Sequence, residues 1–137
     1  MIKLIVGNKG TGKTKKLIEL VHDAVKDSKG NVICVEKGAT LTYDIKPQVR
    51  LIDAEAYDIQ GYDMCYAFLA GLFAGNYDIT EVFVDSILKI GGRDLEALGA
   101  FLEKIDKISA DTECVFTVSA DAAELPASVA KYQTIAH

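Results

Sequence analysis

The first 35 residues show two hydrophobic patterns in turn, and together they predict a strand, a helix and a second strand. Residues 2–6 are a short, largely apolar run that is rich in branched residues and ends at a glycine, which is typical of a strand buried on both faces. We expect this strand to be the first and central one of a sheet. From residue 13 to about residue 27, apolar positions recur at helical spacing between charged ones, and Gly30 follows as a stop signal. Residues 32–35 are apolar again and predict the second strand.

The same alternation continues along the rest of the chain. After an aperiodic stretch that contains Gly38 and Pro47, a short strand is expected at residues 49–53, and its pairing direction is left open. The clearest helix is at residues 94–108, because leucine and isoleucine repeat there at intervals of three and four. Strands that alternate with helices of this length predict an α/β fold with a mostly parallel central sheet flanked by helices. The other predicted elements are a helix at 64–73, a strand at 81–85 that runs into an acid, a strand at 114–118 and a short closing helix at 122–132.

Length, charge and cysteine content exclude several classes of protein. At 137 residues the chain is long enough for one buried core, and we expect a single domain over residues 1–137. A net charge of -5 argues against a general nucleic-acid binder, which needs clustered Lys and Arg. The three cysteines are far apart and lack metal-ligand spacing, so they predict neither zinc nor disulfides and favour a cytoplasmic location. The apolar N-terminal run is too short for a signal peptide and no apolar run reaches membrane-spanning length, so neither secretion nor membrane insertion is expected.

One segment between the first predicted strand and the first predicted helix has the spacing G-x-x-x-x-G-K-[ST]. Glycines let a loop wrap so that its backbone N–H groups point at phosphate oxygens, and the N-terminus of the following helix adds a partial positive charge. In such a loop Lys13 would bridge the outer phosphates, and the Thr14 hydroxyl would bind Mg2+. We therefore predict that the segment binds the phosphates of a nucleotide. It consists of Gly7, Asn8, Lys9, Gly10, Thr11, Gly12, Lys13 and Thr14.

With this motif the chain resembles the P-loop NTPase superfamily, in particular its RecA-like branch with an additional strand. The resemblance implies a three-layer P-loop NTPase fold, ATP and Mg2+ as ligands, and a second acid at the end of another strand. Residues 82–85 look like that second motif, known as Walker B, in which Asp85 would hold Mg2+ through water. Asp53, at the end of the strand expected at residues 49–53, is the competing candidate.

The resemblance also implies a glutamate that activates water, and here the sequence departs from a frequent arrangement. Ser86 follows Asp85 where a glutamate often stands, so fast hydrolysis is not expected. RecA-like and rotary-ATPase-like relatives place the glutamate at the end of the second strand, and by that resemblance Glu36 is the preferred catalytic residue. The alternative for Glu36 is a solvated acid at a strand end. Thr117 and Ser119 look like the polar sensor that such proteins aim at the terminal phosphate, although threonine is also simply a good strand residue.

Positive charge for the transition state of phosphoryl transfer has few possible sources besides Lys13. The chain contains two arginines, and Arg93 lies between the strand expected at residues 81–85 and the next helix. From that position it could reach its own site or that of a neighbouring subunit. The alternative is an ordinary surface residue at the entry to a helix.

These features predict an ATP-binding protein, a slow Mg2+-dependent ATPase that acts as a switch or motor-like subunit. ATP is favoured over GTP because the N-K-x-D motif that reads guanine is absent. One alternative is a regulatory module that binds nucleotide without hydrolysing it. Another is a small-molecule kinase, which the scarcity of arginine and the lack of a lid insertion disfavour. The apolar helix at residues 64–73 offers a surface for a homo-oligomer or an unknown protein partner, with core packing as the alternative.

Overall fold

Five parallel strands form one sheet in the computed structural model, which describes residues 1–42, 44–133 and 135. The strands are β1 (Ile2–Gly7), β2 (Asn31–Glu36), β3 (Arg50–Asp53), β4 (Ile79–Val84) and β5 (Glu113–Ser119). Their order across the sheet is β1-β5-β4-β2-β3, and every neighbouring pair is parallel. The expected α/β class with a parallel sheet is thus confirmed. The pairing direction of β3, which the sequence left open, is parallel to β2.

Helices cover both faces of the sheet and give the molecule three layers. On one face, called the α1 face below, Leu17 and Val21 of the first helix pack in a core cluster with Ile5. The other helices pack on the opposite face, which carries the larger core cluster and includes Leu4. In the described part of the chain, no helix is both long and apolar enough to cross a membrane. The helices are α1 (Lys13–Asp27), α2 (Tyr62–Gly75), α3 (Ile87–Gly91), α4 (Leu95–Ile108) and α5 (Ala127–Ala130).

β1 lies at the edge of the sheet, so the expectation that it is the central strand was wrong. The apolar pattern reports that both faces of β1 are covered, and it carries no information about lateral neighbours. Residues near the end of the described chain cover part of its open side. The amide of Leu4 donates to the carbonyl of Tyr132 at 2.9 Å, and Ile5 forms an isolated parallel bridge with Ile135.

The closing helix expected at residues 122–132 is also wrong as a single element. The chain instead forms a 3-10 turn at Ala122–Glu124 and then the four-residue helix α5. Pro126 lies between them, and proline both lacks an N–H donor and disfavours helical backbone in the residue before it. α3 is a further difference, since the sequence analysis predicted no element between the strand at residues 81–85 and the helix at residues 94–108; Ile87, Leu88 and Ile90 bury it against the core.

The apolar helix α2 extends beyond the residues 64–73 that were expected, to Tyr62 at one end and Gly75 at the other. Its residues Cys65 and Leu69 are buried in the core on the face opposite α1. Met64 is half-exposed on the same helix. Core packing therefore accounts for one side of α2, and a role for its other side in binding a partner stays a prediction.

Candidate functional site

The glycine-rich segment connects the carboxyl end of β1 to the N-terminus of α1. Gly10 and Gly12 have φ values of 83° and 87°, a left-handed conformation that side chains disfavour. Gly12 is the N-cap of α1 and supplies no side-chain cap. The amide of Lys16 bonds to the carbonyl of Gly12 at 3.0 Å. The amides before it in α1, those of residues 13–15, have no acceptor among the described residues, so this helix end presents unsatisfied N–H donors to an anion.

Lys13 is buried beside this helix end, with 6% of its surface exposed. Its Nζ donates to the backbone carbonyl of Asn8 at 2.8 Å. Burial lowers the pKa of Lys13 from its ordinary value, and the nearby charge of Asp85 opposes that shift. A buried ammonium group bonded to a neutral carbonyl retains donors for an anionic ligand.

Asp85 directly follows β4 and meets two hydroxyl groups from different elements. Thr14 Oγ1 donates to Asp85 Oδ1 at 3.2 Å and to Oδ2 at 3.3 Å. Thr117 Oγ1 donates to Asp85 Oδ1 at 2.8 Å. Asp85 as a residue is 8% exposed. The structure therefore brings together Thr14, Asp85 and Thr117, which the sequence analysis had placed in one site from positions far apart in the chain.

Asp53, the competing candidate for the metal role, lies on the edge strand of the sheet that is opposite β1. It ends β3, the edge strand farthest from β1. Its Oδ1 accepts from the amides of Gly38 at 2.8 Å and Glu55 at 2.9 Å, so the carboxylate stabilises local turns. This geometry favours Asp85 over Asp53 as the partner of Thr14.

A cleft with a volume of about 760 Å³ opens over the glycine-rich segment. Five of its lining residues are Lys or Arg, and in the described part of the chain its lining contains no carboxylate. Arg93 lines this cleft in its own chain, where its Nη2 donates to the carbonyl of Ser119 at 3.3 Å. The cleft is therefore suited to a multiply charged anion. Its lining residues are Asn8, Lys9, Gly10, Gly12, Lys13, Thr14, Lys15, Ser86, Leu88, Lys89, Arg93 and Ser119.

Glu36 does not line this cleft, although it ends β2 on the same side of the sheet. Its Oε1 accepts from the amide of Thr40 at 3.1 Å and from the Thr40 hydroxyl at 2.7 Å. Its Oε2 accepts from the amide of Leu41 at 3.0 Å, and the residue is only 3% exposed. Glu36 thus holds the loop that follows β2, and its assignment as the catalytic glutamate stays a prediction.

Sequence reasoning missed the contribution of α3 to the site. Ser86, Leu88 and Lys89 line the cleft from the start of this short helix. A five-residue helix is too short to show a helical period, so its hydrophobic pattern gave no distinct signal. Thr117 is placed differently from the polar sensor that was expected, because it is buried under Asp85, whereas Ser119 lines the cleft.

The oxygen groups at the site fit a magnesium ion that is shared with a phosphate ligand. Mg2+ prefers oxygen ligands, keeps several waters and is usually held by one or two protein groups together with substrate phosphates. The Thr14 hydroxyl and the Asp85 carboxylate supply such oxygens within 3.3 Å of each other. Among the described residues, no group of three or more His, Cys, Asp or Glu side chains is arranged to hold a metal.

No protein-family model matches this chain, and no curated protein matches its sequence. The resemblance to the P-loop NTPase superfamily stays a prediction that rests on the sequence of residues 7–14 and 82–85.

Proposed function

We propose that this chain binds ATP and Mg2+ in the cleft over residues 7–14 and acts as a slow ATPase of the P-loop kind, as a switch or motor-like subunit. The observation that carries the proposal is the contact between Thr14 and Asp85 beside a helix N-terminus whose first amides have no acceptor among the residues that the structure describes. The G-x-x-x-x-G-K-[ST] spacing alone predicts only a loop that binds phosphate. The buried Asp85 carboxylate against the threonine of that loop supports the proposal that Mg2+ binds there as well.

The triphosphate would occupy the positively charged part of the cleft. Amides at the start of α1 would donate to its oxygens, and the Lys13 ammonium would exchange part of its bond to the Asn8 carbonyl for a charged partner. Arg93 and Lys89 line the same cleft and add positive charge from the α3 side. Electrostatic stabilisation of this kind is the main contribution that a protein makes to phosphoryl transfer.

The same site supports slow hydrolysis better than fast hydrolysis. Activation of water needs a base within hydrogen-bond reach of the nucleophile. The cleft lining in the described part of the chain contains no carboxylate, and Glu36 is engaged by Thr40 and Leu41. Mg2+, when bound, would neutralise charge on the phosphates while Lys13 and Arg93 hold them in place.

The absence of a carboxylate from the cleft lining, as far as the structure describes it, also favours a second candidate function, a regulatory module that binds nucleotide without hydrolysing it. Both functions use the same phosphate and metal groups. They differ only in whether phosphate is released, so a single preparation of the protein can distinguish them.

A cytoplasmic location is part of the proposal. Cys34, Cys65 and Cys114 are all unpaired and buried, which supports a reducing compartment. Burial raises the pKa of the Cys34 and Cys65 thiols to about 12, so neither is a reactive thiolate at neutral pH.

The direct test is calorimetric titration of ATP and GTP into the purified chain, with and without Mg2+, together with a phosphate-release assay. We expect ATP binding that Mg2+ strengthens, and a loss of affinity of about 10- to 100-fold in Lys13→Ala, because a charge-assisted contact with phosphate is removed. Lys26→Ala is the matched control, since Lys26 is an exposed lysine in the last turn of the same helix.

The outcomes separate the candidates. Phosphate release that Lys13→Ala abolishes supports an ATPase, whereas binding without release supports the regulatory module. If neither nucleotide binds at millimolar concentration, where binding is worth only about -4 kcal/mol, the proposed function is wrong.

A further inference from the structure

Thr117 is buried at the carboxyl end of β5, and its surroundings differ from those of a phosphate sensor. It is 1% exposed and lies on the α1 face, within the strand that separates β1 from β4. The residues from Cys114 to Val118 are all buried, and Thr117 is the one hydroxyl among them. A buried hydroxyl is costly unless it is hydrogen-bonded, so its partners indicate what it does.

The Thr117 hydroxyl donates one hydrogen bond and accepts another, and its two partners are consecutive residues that follow β4. It donates to Asp85 Oδ1 at 2.8 Å and accepts from the amide of Ser86 at 2.6 Å. The bond to Asp85 fixes the position of its Oδ1 atom from the β5 side. Thr14 contacts Oδ2 as well as Oδ1, so the rotation of the carboxylate is set by two hydroxyls, one on α1 and one on β5.

Ser86 has a backbone conformation that needs such support. Its φ and ψ are 58° and 56°, in the left-handed region that residues other than glycine seldom adopt. Strained conformations of this kind persist only where the surroundings fix them, and they are concentrated at functional sites. The bond from the Ser86 amide to Thr117 provides that constraint, and Ser86 itself lines the cleft.

We propose that Thr117 is a positioning residue for the Mg2+ of this site, acting through Asp85 and the Ser86 turn and not by contact with a phosphate. The inference rests on the proposed function, because it concerns the metal of the same nucleotide site. Partners that orient a metal-binding carboxylate commonly change metal affinity by 10- to 100-fold when they are removed. Loss of Thr117 should therefore affect the metal more than the nucleotide.

Three variants test this role. Thr117→Val keeps the shape of the side chain and removes the hydroxyl, while Thr117→Ser keeps the hydroxyl. Thr112→Val is the matched control, since it removes a hydroxyl that donates to the carbonyl of Ile79 at the opposite end of β4. Thermal unfolding of each variant shows that it folds, and Thr117→Ser keeps the test usable if Thr117→Val does not.

Two measurements follow. The first is the Mg2+ concentration that gives half-maximal strengthening of ATP binding, measured by calorimetry alongside metal-free ATP binding. We expect Thr117→Val to raise this concentration about tenfold or more with little change in metal-free binding, and Thr117→Ser and Thr112→Val to stay close to wild type. The second is hydrogen exchange of the Ser86 amide in the ligand-free protein, whose protection Thr117→Val should abolish and Thr117→Ser should keep.

An equal loss of metal-free and Mg2+-dependent binding in Thr117→Val, no change in either, or a Thr117→Ser protein as impaired as Thr117→Val would overturn the role of Thr117 and leave the proposed function intact. If Thr117→Val does not fold, a wild-type magnesium requirement together with preserved Ser86 protection in Thr117→Ser supports the role. A wild-type chain that binds no ATP under either condition would overturn the proposed function, and the positioning role would fail with it.

Discussion

Lys13 is a cation that the fold has almost completely removed from water. Burial lowers its pKa below the ordinary value of 10.5, so the charged form is less favoured in the folded protein than in the unfolded chain. The free energy of unfolding should therefore rise as pH increases through this lowered pKa towards 10.5. A bound phosphate has the opposite effect, because it stabilises the charged ammonium group.

The first prediction is that ATP affinity falls with rising pH once the pH exceeds the lowered pKa of Lys13. ATP binds the protonated amine, and binding must then be accompanied by uptake of a proton. Calorimetry between pH 7 and pH 10 measures the effect, and Lys26→Ala should keep the wild-type profile. A Lys13→Ala protein with the same pH profile as wild type would show that another group titrates.

Glu36 leads to a second prediction. Its carboxylate accepts three hydrogen bonds from Thr40 and Leu41, and an amide in its place would direct an N–H group at one of those donors. We expect Glu36→Gln to lower the free energy of unfolding by about 1–3 kcal/mol, with ATP affinity unchanged. Chemical denaturation checks this, with the exposed Glu55→Gln as control.

Phosphate release from the same Glu36→Gln protein addresses the catalytic assignment. Release that falls although the protein remains folded would support Glu36 as the residue that activates water. Unchanged release with lowered stability would assign it to the loop alone. An unfolding free energy equal to that of wild type would contradict the structural role.

At the scale of elements, the junction between β1 and α1 depends on backbone that only glycine adopts easily. A Cβ on Gly12 would meet no atom within 4 Å, so the cost of adding one comes from its φ of 87° alone. Gly71 also has open space for a Cβ, but it lies within α2. The two positions therefore form a matched pair in which only the backbone conformation differs.

The third prediction uses this pair. Gly12→Ala should lower the free energy of unfolding by about 1–2 kcal/mol, because left-handed backbone disfavours a side chain. Gly71→Ala should raise it by about 0.5–1 kcal/mol, because alanine favours a helix more than glycine does. Denaturant unfolding of both proteins measures the difference, and a change of the same sign in both would contradict the explanation.

The elements also show how far the sequence determines the fold. Local patterns identified β1, α1 and α4 within a residue or two, because burial and helical period are properties of neighbouring residues. They could not place β1 at the edge of the sheet, because strand order depends on contacts between distant segments. The break at Pro126 could have been read from the sequence, whereas the five-residue α3 was too short to recognise.

The features of the candidate site likewise include some that the sequence predicts and some that it does not. Lys13 and Thr14 follow from one contiguous motif, and the position of Asp85 follows from the end of an apolar strand. The bond between Thr117 and Asp85 could not be predicted, because it requires β5 to lie between β1 and β4. The hydrogen bonds of Glu36 depend likewise on the path of a loop that has no sequence period.

At the scale of the whole molecule, one chain contains the cationic groups of the cleft. Arg93 lines its own cleft and bonds to Ser119, so a neighbouring subunit is not needed to supply an arginine. An oligomer stays a prediction of the sequence.

The fourth prediction tests whether Arg93 acts in the cleft of its own chain, by mixing two variants. Arg93→Ala should weaken ATP binding by about tenfold, since it removes a charged contact with phosphate. An equimolar mixture with Lys13→Ala should show no recovery, because each chain uses its own arginine. Recovery of wild-type affinity in a fraction of the sites would mean instead that Arg93 acts on a neighbour.

The cationic lining of the cleft has a consequence for the rate at which a ligand arrives. The chain carries a net charge of -5 although five cations line one cleft, so the remaining surface is more acidic than the net charge suggests. Long polyanions would meet repulsion over most of the molecule, whereas a small anion would be drawn to the cationic cleft. Nucleotide association should therefore be fast at low ionic strength and slow down steeply as salt screens the cleft, which stopped-flow measurements would detect.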